Sequence, residues 1–387
     1  MALFSQTSTT GSVISLMLLI LCSIPLIYQD YKNKKIEWSK TQKWYLAFIS
    51  TCIISTFINY PHYVNDWGNI GKMRYFIFAL LLSFAFRHLN KINFFTEKKI
   101  QIFSYTLLSS LTIVTITSII GMHQGFNFWK QMPGSTDRLE GAISIGNYGQ
   151  ELPVITLFFL AVLINYKKIP FIINRIFLII CLFINVYAIY VSGMRSALYG
   201  FLIAMPFLFY FHGKRFFLKA IIFSALFLTL VISATLFQKF TSRQFMNVDN
   251  ASNNMRISMW KKSLEAFMEK PLLGHGYLSR NNKYLAADSE GREVIPLHIA
   301  HSSYFQILKD TGIVGTIAFL GFLFMWFRNF SQKDNIISRL CLASLICSYF
   351  HGIPHNFLIN GSNSGMLLAV LYGMSEIYYQ KNLKEVS

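Results

Sequence analysis

Apolar runs of roughly membrane-crossing length recur along almost the whole chain. They lie near residues 12–28, 44–60, 73–88, 100–121, 147–165, 173–192, 196–212, 217–237, 303–327, 338–352 and 362–380. A helix needs about 20 apolar residues to cross the roughly 30 Å hydrocarbon layer. Backbone in hydrocarbon must satisfy its own hydrogen bonds, so repeated runs of this kind predict helices and not an open sheet. The expected fold is all-α, a polytopic transmembrane helical bundle of about 11–12 spans. Composition points the same way: only 13% of residues are charged, against about 25% in soluble domains.

The net charge of +18 raises nucleic acid as a partner. The basic residues, however, fall in short clusters between apolar runs and not on one soluble face, which argues for no nucleic acid. Such clusters obey the positive-inside rule. The segments after alternate spans, with the C-terminal tail, hold Lys32, Lys34, Lys35, Lys40, Lys43, Arg87, Lys91, Lys98, Lys99, Lys167, Lys168, Arg175, Lys214, Arg215, Lys219, Arg328, Lys333, Arg339, Lys381 and Lys384. They account for 20 of the 35 Lys and Arg, which predicts that these segments are cytoplasmic and that the N-terminus is outside. Residues 1–12 lack a basic region and the following run lacks a cleavage site, so the first run reads as a retained span. The five cysteines all sit in apolar runs without ligand spacing and read as small core residues.

Three regions follow: spans over 1–237, a polar loop over 238–302 on the non-cytoplasmic side, and further spans with a tail over 303–387. The long loop is expected to contain short helices and to hold most of the chemically capable residues. Within it, residues 254–270 place Ile257, Trp260, Leu264 and Phe267 at helical spacing, which predicts an amphipathic helix ending at Pro271.

Several residues at this face can carry chemistry. Arg195 lies between two apolar runs among Ser192, Gly193 and Ser196, a costly place for a charge without a partner or ligand. Arg256 opens the amphipathic helix one turn before Trp260, and Arg243 stands nearby in the same loop. Gly274 and Gly276 flank His275 in a tight-turn pattern without the Walker or dinucleotide spacing. His298 and His301 are three apart, and His301 directly precedes the next span. No third ligand of matching kind is near them, so no metal is expected. A histidine beside arginines is held neutral and suited to act as a general base, while Arg forks bind diphosphate oxygens. That combination fits glycosyl transfer from a lipid-diphosphate sugar.

The run from His301-Ser302 through nine residues to Gly312, then two residues to Gly315, resembles the signature of the O-antigen ligase and polymerase superfamily of membrane glycosyltransferases, closest to the ligase branch. Supporting matches are Ser192 to Leu198, Arg256 to Trp260, and Pro271 to Gly276. The resemblance implies a metal-independent, inverting transfer of a preassembled polysaccharide from undecaprenyl diphosphate to a periplasmic acceptor, in the ligase branch the lipid A core. It implies no cofactor, membrane lipids as surroundings, and a multi-pass protein of the Gram-negative inner membrane. It also implies both termini in the cytoplasm, where the basic segments predict an external N-terminus. By residue matching, His301, Arg256 and Arg195 would be catalytic, with Arg195, Arg256, Arg243, His298, His275 and Trp260 facing substrate. The alternatives are an O-antigen polymerase, a protein-directed oligosaccharyltransferase of the same superfamily, and an unrelated transporter or flippase. A polymerase would put two comparable basic loops outside, and 122–146 carries only Lys130 and Arg138. A carrier would place ionisable groups near mid-membrane, which these spans do not.

Overall fold

A computed structural model describes residues 38–59, 73–91, 97–127, 132–133, 145–165, 174–192, 194–241, 247–279, 281–287, 293–297, 299–332, 334–359 and 363–376, with parts of 21–32. The described residues are mostly helical. In order they form α1 (Lys40–Ile58), α2 (Arg74–Lys91), α3 (Glu97–Gln124), the short hairpin β1 (Phe126–Asn127) and β2 (Met132–Pro133), α4 (Ile145–Ile164), α5 (Arg175–Val191) and α6 (Arg195–Ala204). Next come α7 (Lys214–Thr241), α8 (Asn247–Glu269), the hairpin β3 (Asn281–Ala287) and β4 (Glu293–Leu297), α9 (Ser303–Ser331), α10 (Ile336–His351) and α11 (Asn363–Glu376). A 3₁₀ segment, Met205–His212, carries α6 onward past Pro206. Ten of the eleven apolar runs thus coincide with helices; the run at 12–28 falls almost wholly outside the described residues.

Polar side chains set several helix starts. Ser39 and Gln42 form a reciprocal capping box at α1, and Asn174 and Asn335 accept amide hydrogens at the starts of α5 and α10. The core is apolar and aromatic, with Tyr45, Phe48, Phe76, Phe322, Trp326 and Tyr372 from α1, α2, α9 and α11 in mutual ring contact. At the far end of α9 the buried Arg87–Glu376 pair, 2.6 Å, joins α2 to α11. Ser39, Gln42 and Asn329 complete that network. Arg87 is therefore committed to a buried partner as well as counting toward the charge asymmetry.

Outward faces of the helices are apolar too. Phe57, Phe183 and Phe324 are 72%, 73% and 62% exposed. By length and composition one described helix, Ser303–Ser331, suffices to cross a membrane, and five shorter apolar stretches of 10–17 residues accompany it.

The structure differs from the sequence reading in the long loop. It holds a two-stranded antiparallel hairpin, β3–β4, as well as a helix. Tyr284 and Ala286 alternate onto one face of β3 and pack on Met259 and Ala266 of α8, with Met255 alongside. The hairpin therefore takes the Met255, Met259 and Ala266 face of α8, and Ile257 and Leu264 are left 45% and 41% exposed. Spacing singled out the Ile257, Trp260, Leu264 and Phe267 stripe, and the hairpin, whose alternation is only two residues long, covers a different face.

Candidate functional site

The site is built around an interrupted helix. Gly312 inside α9 has φ 62° and ψ −161°, a conformation open essentially to glycine alone. The break frees backbone groups of α9, and the Pro271–Tyr277 segment takes them. Ile313 N donates to Pro271 O at 2.8 Å, while His275 N and Gly276 N donate to Lys309 O and Asp310 O at 3.0 and 2.7 Å. A side chain at Gly274 would strike the carbonyl of Asp310, and one at Gly312 would strike Pro271 O at 2.6 Å. The glycines of Pro-Leu-Leu-Gly-His-Gly and of the span-entry motif are thus two halves of one joint.

Buried polar groups lock that joint to the turn before α9. Asp310 accepts from Leu278 N at 2.7 Å and from Gln306 Nε2 at 2.9 Å, and pairs with Lys309 Nζ at 2.8 Å. Gln306 Oε1 accepts from Ala300 N at 2.7 Å, immediately ahead of His301. Lys309 Nζ donates to Ser279 O. None of these side chains reaches solvent. The nine residues between Ser302 and Gly312 are the helical length that connects His301 to this lock.

His301 has φ 48°, a left-handed conformation that a histidine adopts at some cost. Its ring is half-buried, and burial first, then the guanidinium of Arg256, holds its pKa below the ordinary 6.5. Arg256 reaches it from α8, which Trp260 pins to the first turns of α9 by stacking on Phe305 at 5.3 Å and 17°. Arg256 is itself partly buried, which lowers its pKa, and among the described residues it has no carboxylate partner. A desolvated cation beside a neutral imidazole favours an anionic ligand.

The loop after α10 closes the arrangement. Ser303 N donates to Gly352 O and His355 O at 2.8 and 3.0 Å. Ser303 Oγ donates to His355 O, and Leu358 N donates back to Ser303 Oγ. The His355 ring is buried and its Nε2 is hydrogen-bonded to Ser196 Oγ at 2.8 Å. Burial, then the fields of Arg256 and His301, push this imidazole down to about 3. Ser196 follows Arg195, the first residue of α6. The backbone of Arg195 therefore stands at the same end as His301, while its side chain lies outside what the structure describes, as do Arg243 and His298. His275 is placed apart from His301: its Nε2 is bonded to Ala266 O at 2.7 Å, its ring packs edge-on to Tyr284, and its charged neighbours are Lys270, Lys309 and Glu269. Among the described residues no group of three His, Cys, Asp or Glu could hold a metal ion.

Sequence reasoning missed His355, Gln306, Lys309 and Asp310. The two histidines of 351–355 on the same predicted face as His301 were a usable signal; the buried charges inside an apolar run were another.

Both imidazoles, His301 and His355, have folded pKa values below the unfolded 6.5, so the unfolded chain binds more protons at acid pH. Their contribution to stability is complete above pH 6.5 and is lost as pH falls toward the folded values. Among the described residues the charged group that acts on His301 is Arg256, and His301 in turn acts on His355. Arg256→Gln should raise the pKa of His301 toward 6.5 and not beyond, read as the pH dependence of carbethoxylation of that ring. A midpoint that stays or falls would remove Arg256 from its surroundings.

Comparison with known proteins adds the following. A family model described as O-Antigen ligase matches residues 177–320, less than half the chain. The match runs from α5 through the broken start of α9 and ends before His355. A Rickettsia conorii protein named as a polysaccharide ligase is 28% identical over 136 residues, which cover 31% of this chain and 32% of that protein's length.

Proposed function

We propose that this chain is a multi-pass membrane glycosyltransferase of the O-antigen ligase type. It moves a preassembled polysaccharide from undecaprenyl diphosphate to a sugar of an acceptor glycolipid, the lipid A core, on the periplasmic side of the inner membrane. The observation that carries this reading is the half-buried Arg256, without a carboxylate partner among the described residues, beside an imidazole held neutral at His301. The likeness of residues 177–320 to the O-antigen ligase family supports it. Apolar outward faces such as Phe57, Phe183 and Phe324 support a lipid surround. The distribution of Lys and Arg supports a site facing away from the cytoplasm.

In this reading neutral His301 removes the proton from the acceptor hydroxyl, and the oxygen attacks the anomeric carbon. The bond from that carbon to the diphosphate oxygen breaks with inversion. Undecaprenyl diphosphate leaves with the bonding electrons, and its growing charge is met by Arg256 and Arg195. Guanidinium forks suit two phosphoryl groups, and stabilising charge where it develops contributes to rate. No metal takes part, so purified protein with lipid-linked glycan and core acceptor should transfer glycan at an unchanged rate in EDTA. A deletion strain should lose all long chains from its lipopolysaccharide while lipid-linked glycan accumulates. A remaining single-repeat cap would instead indicate a polymerase, and an absolute need for a divalent ion would overturn the metal-free route.

A further inference from the structure

The residue that closes the site from behind lies outside the family match, in the turn after α10. His355 makes two connections at once. Its carbonyl holds Ser303 N and Oγ, two residues after His301. Its ring holds Ser196 Oγ at 2.8 Å, in the first turn of α6 and one residue after Arg195. His355 is 8% exposed, so water offers its ring little substitute for that bond. Around it stand Arg256 from α8, His301 from the turn before α9, and His351 from the end of α10. Among the described residues no carboxylate acts on it.

We infer that His355 is a positioning residue: through Ser196 it fixes the first turn of α6 against the turn that carries His301, so that the Arg195 segment and the base keep one spacing. This rests on the proposed transfer reaction. A guanidinium on a leaving diphosphate and a base on the attacking hydroxyl act on opposite ends of one reacting centre, and a displacement of about 1 Å can cost roughly 100-fold. Burial, and after it the neighbourhood of Arg256, keeps the imidazole neutral, which suits a hydrogen-bonding strut and not a proton carrier. A neutral ring can donate to Ser196 or accept from it, and an amide can do either.

The test uses the full-length protein in the transfer assay, with His301→Asn as a parallel control. His355→Ala should lower kcat by about 10- to 100-fold, with a smaller change in KM and no movement of the acid limb of the pH profile. His355→Gln should recover most of the rate because its amide can meet Ser196. Ser196→Ala should match His355→Ala, and the double variant should be no slower than either, as expected for two ends of one bond. A wild-type rate in His355→Ala overturns the inference, as does Gln no better than Ala, additive losses in the double variant, or a shifted acid limb. Should His355→Ala fail to fold, the Gln and Ser196→Ala variants carry the same test. If His301→Asn transfers glycan within tenfold of the wild-type rate, the reaction assignment fails instead. If His301→Asn is inactive and His355→Ala runs at full rate, the reaction assignment stands and the strut is lost.

Discussion

His301→Asn should leave a folded, membrane-integrated protein with glycan transfer reduced by about 100- to 10,000-fold, the usual worth of a general base. Asparagine is the informative replacement because the position has φ 48°. Among non-glycine residues Asn enters the left-handed region most readily, so backbone strain should not rise and the change is confined to the ring. The amide cannot accept a proton at neutral pH. Thermal stability in detergent should stay close to wild type, since the ring is only half-buried and is linked to Arg256 and His355 through their fields. Transfer within tenfold of wild type would end the case for His301 as the base.

The largest structural effect is expected at Gly312. An alanine there must hold φ 62° with ψ −161°, and its methyl group would press on the carbonyls of Pro271 and Leu272. Strain of this kind costs about 1–3 kcal/mol on its own. Separating the two segments adds loss of the Ile313 N to Pro271 O bond and of the neighbouring backbone pairs, for a total of about 3–5 kcal/mol. Gly213→Ala is the matched control. That glycine has φ 103° and ψ 154°, in the same glycine-favouring region, but nothing lies within 4 Å of the added methyl group, so only the conformational cost of about 1–3 kcal/mol is expected, without the clash. Melting curves of the two variants should separate clearly. Equal losses would mean that the broken helix does not depend on the Pro271–Tyr277 segment. Because Asp310 and Gln306 connect that joint to Ala300, Gly312→Ala should also lower transfer in whatever fraction remains folded.

The joint at Gly312 explains how the site became legible only in part. Spacing along the chain placed His301, the glycine separated from Ser302 by nine residues, and Pro271 to Gly276, but gave no reason for them to belong together. The reason is backbone chemistry: a helix interrupted at a glycine leaves carbonyls that another segment must satisfy, and a glycine-rich turn can approach closely enough to do so. Arg256 gained its significance in the same way, through the stacking of Trp260 on Phe305, which carries one loop helix against the start of α9.

Hydrophobic length and the sparsity of charge settled that the chain would be mostly helical and where nearly every helix would lie, because burying a long apolar run leaves the backbone few other ways to satisfy itself. Local capping residues fixed several of the ends. What only the tertiary structure decided was which polar groups meet: Ser196 with His355, the Leu278 amide with Asp310, Arg256 with His301. Such meetings depend on contacts between segments tens to hundreds of residues apart, and no period or spacing along a single chain records them. The face of α8 shows the same division. Its sequence spacing singled out Ile257, Trp260, Leu264 and Phe267, and a hairpin folded from later residues covered the Met255, Met259 and Ala266 face.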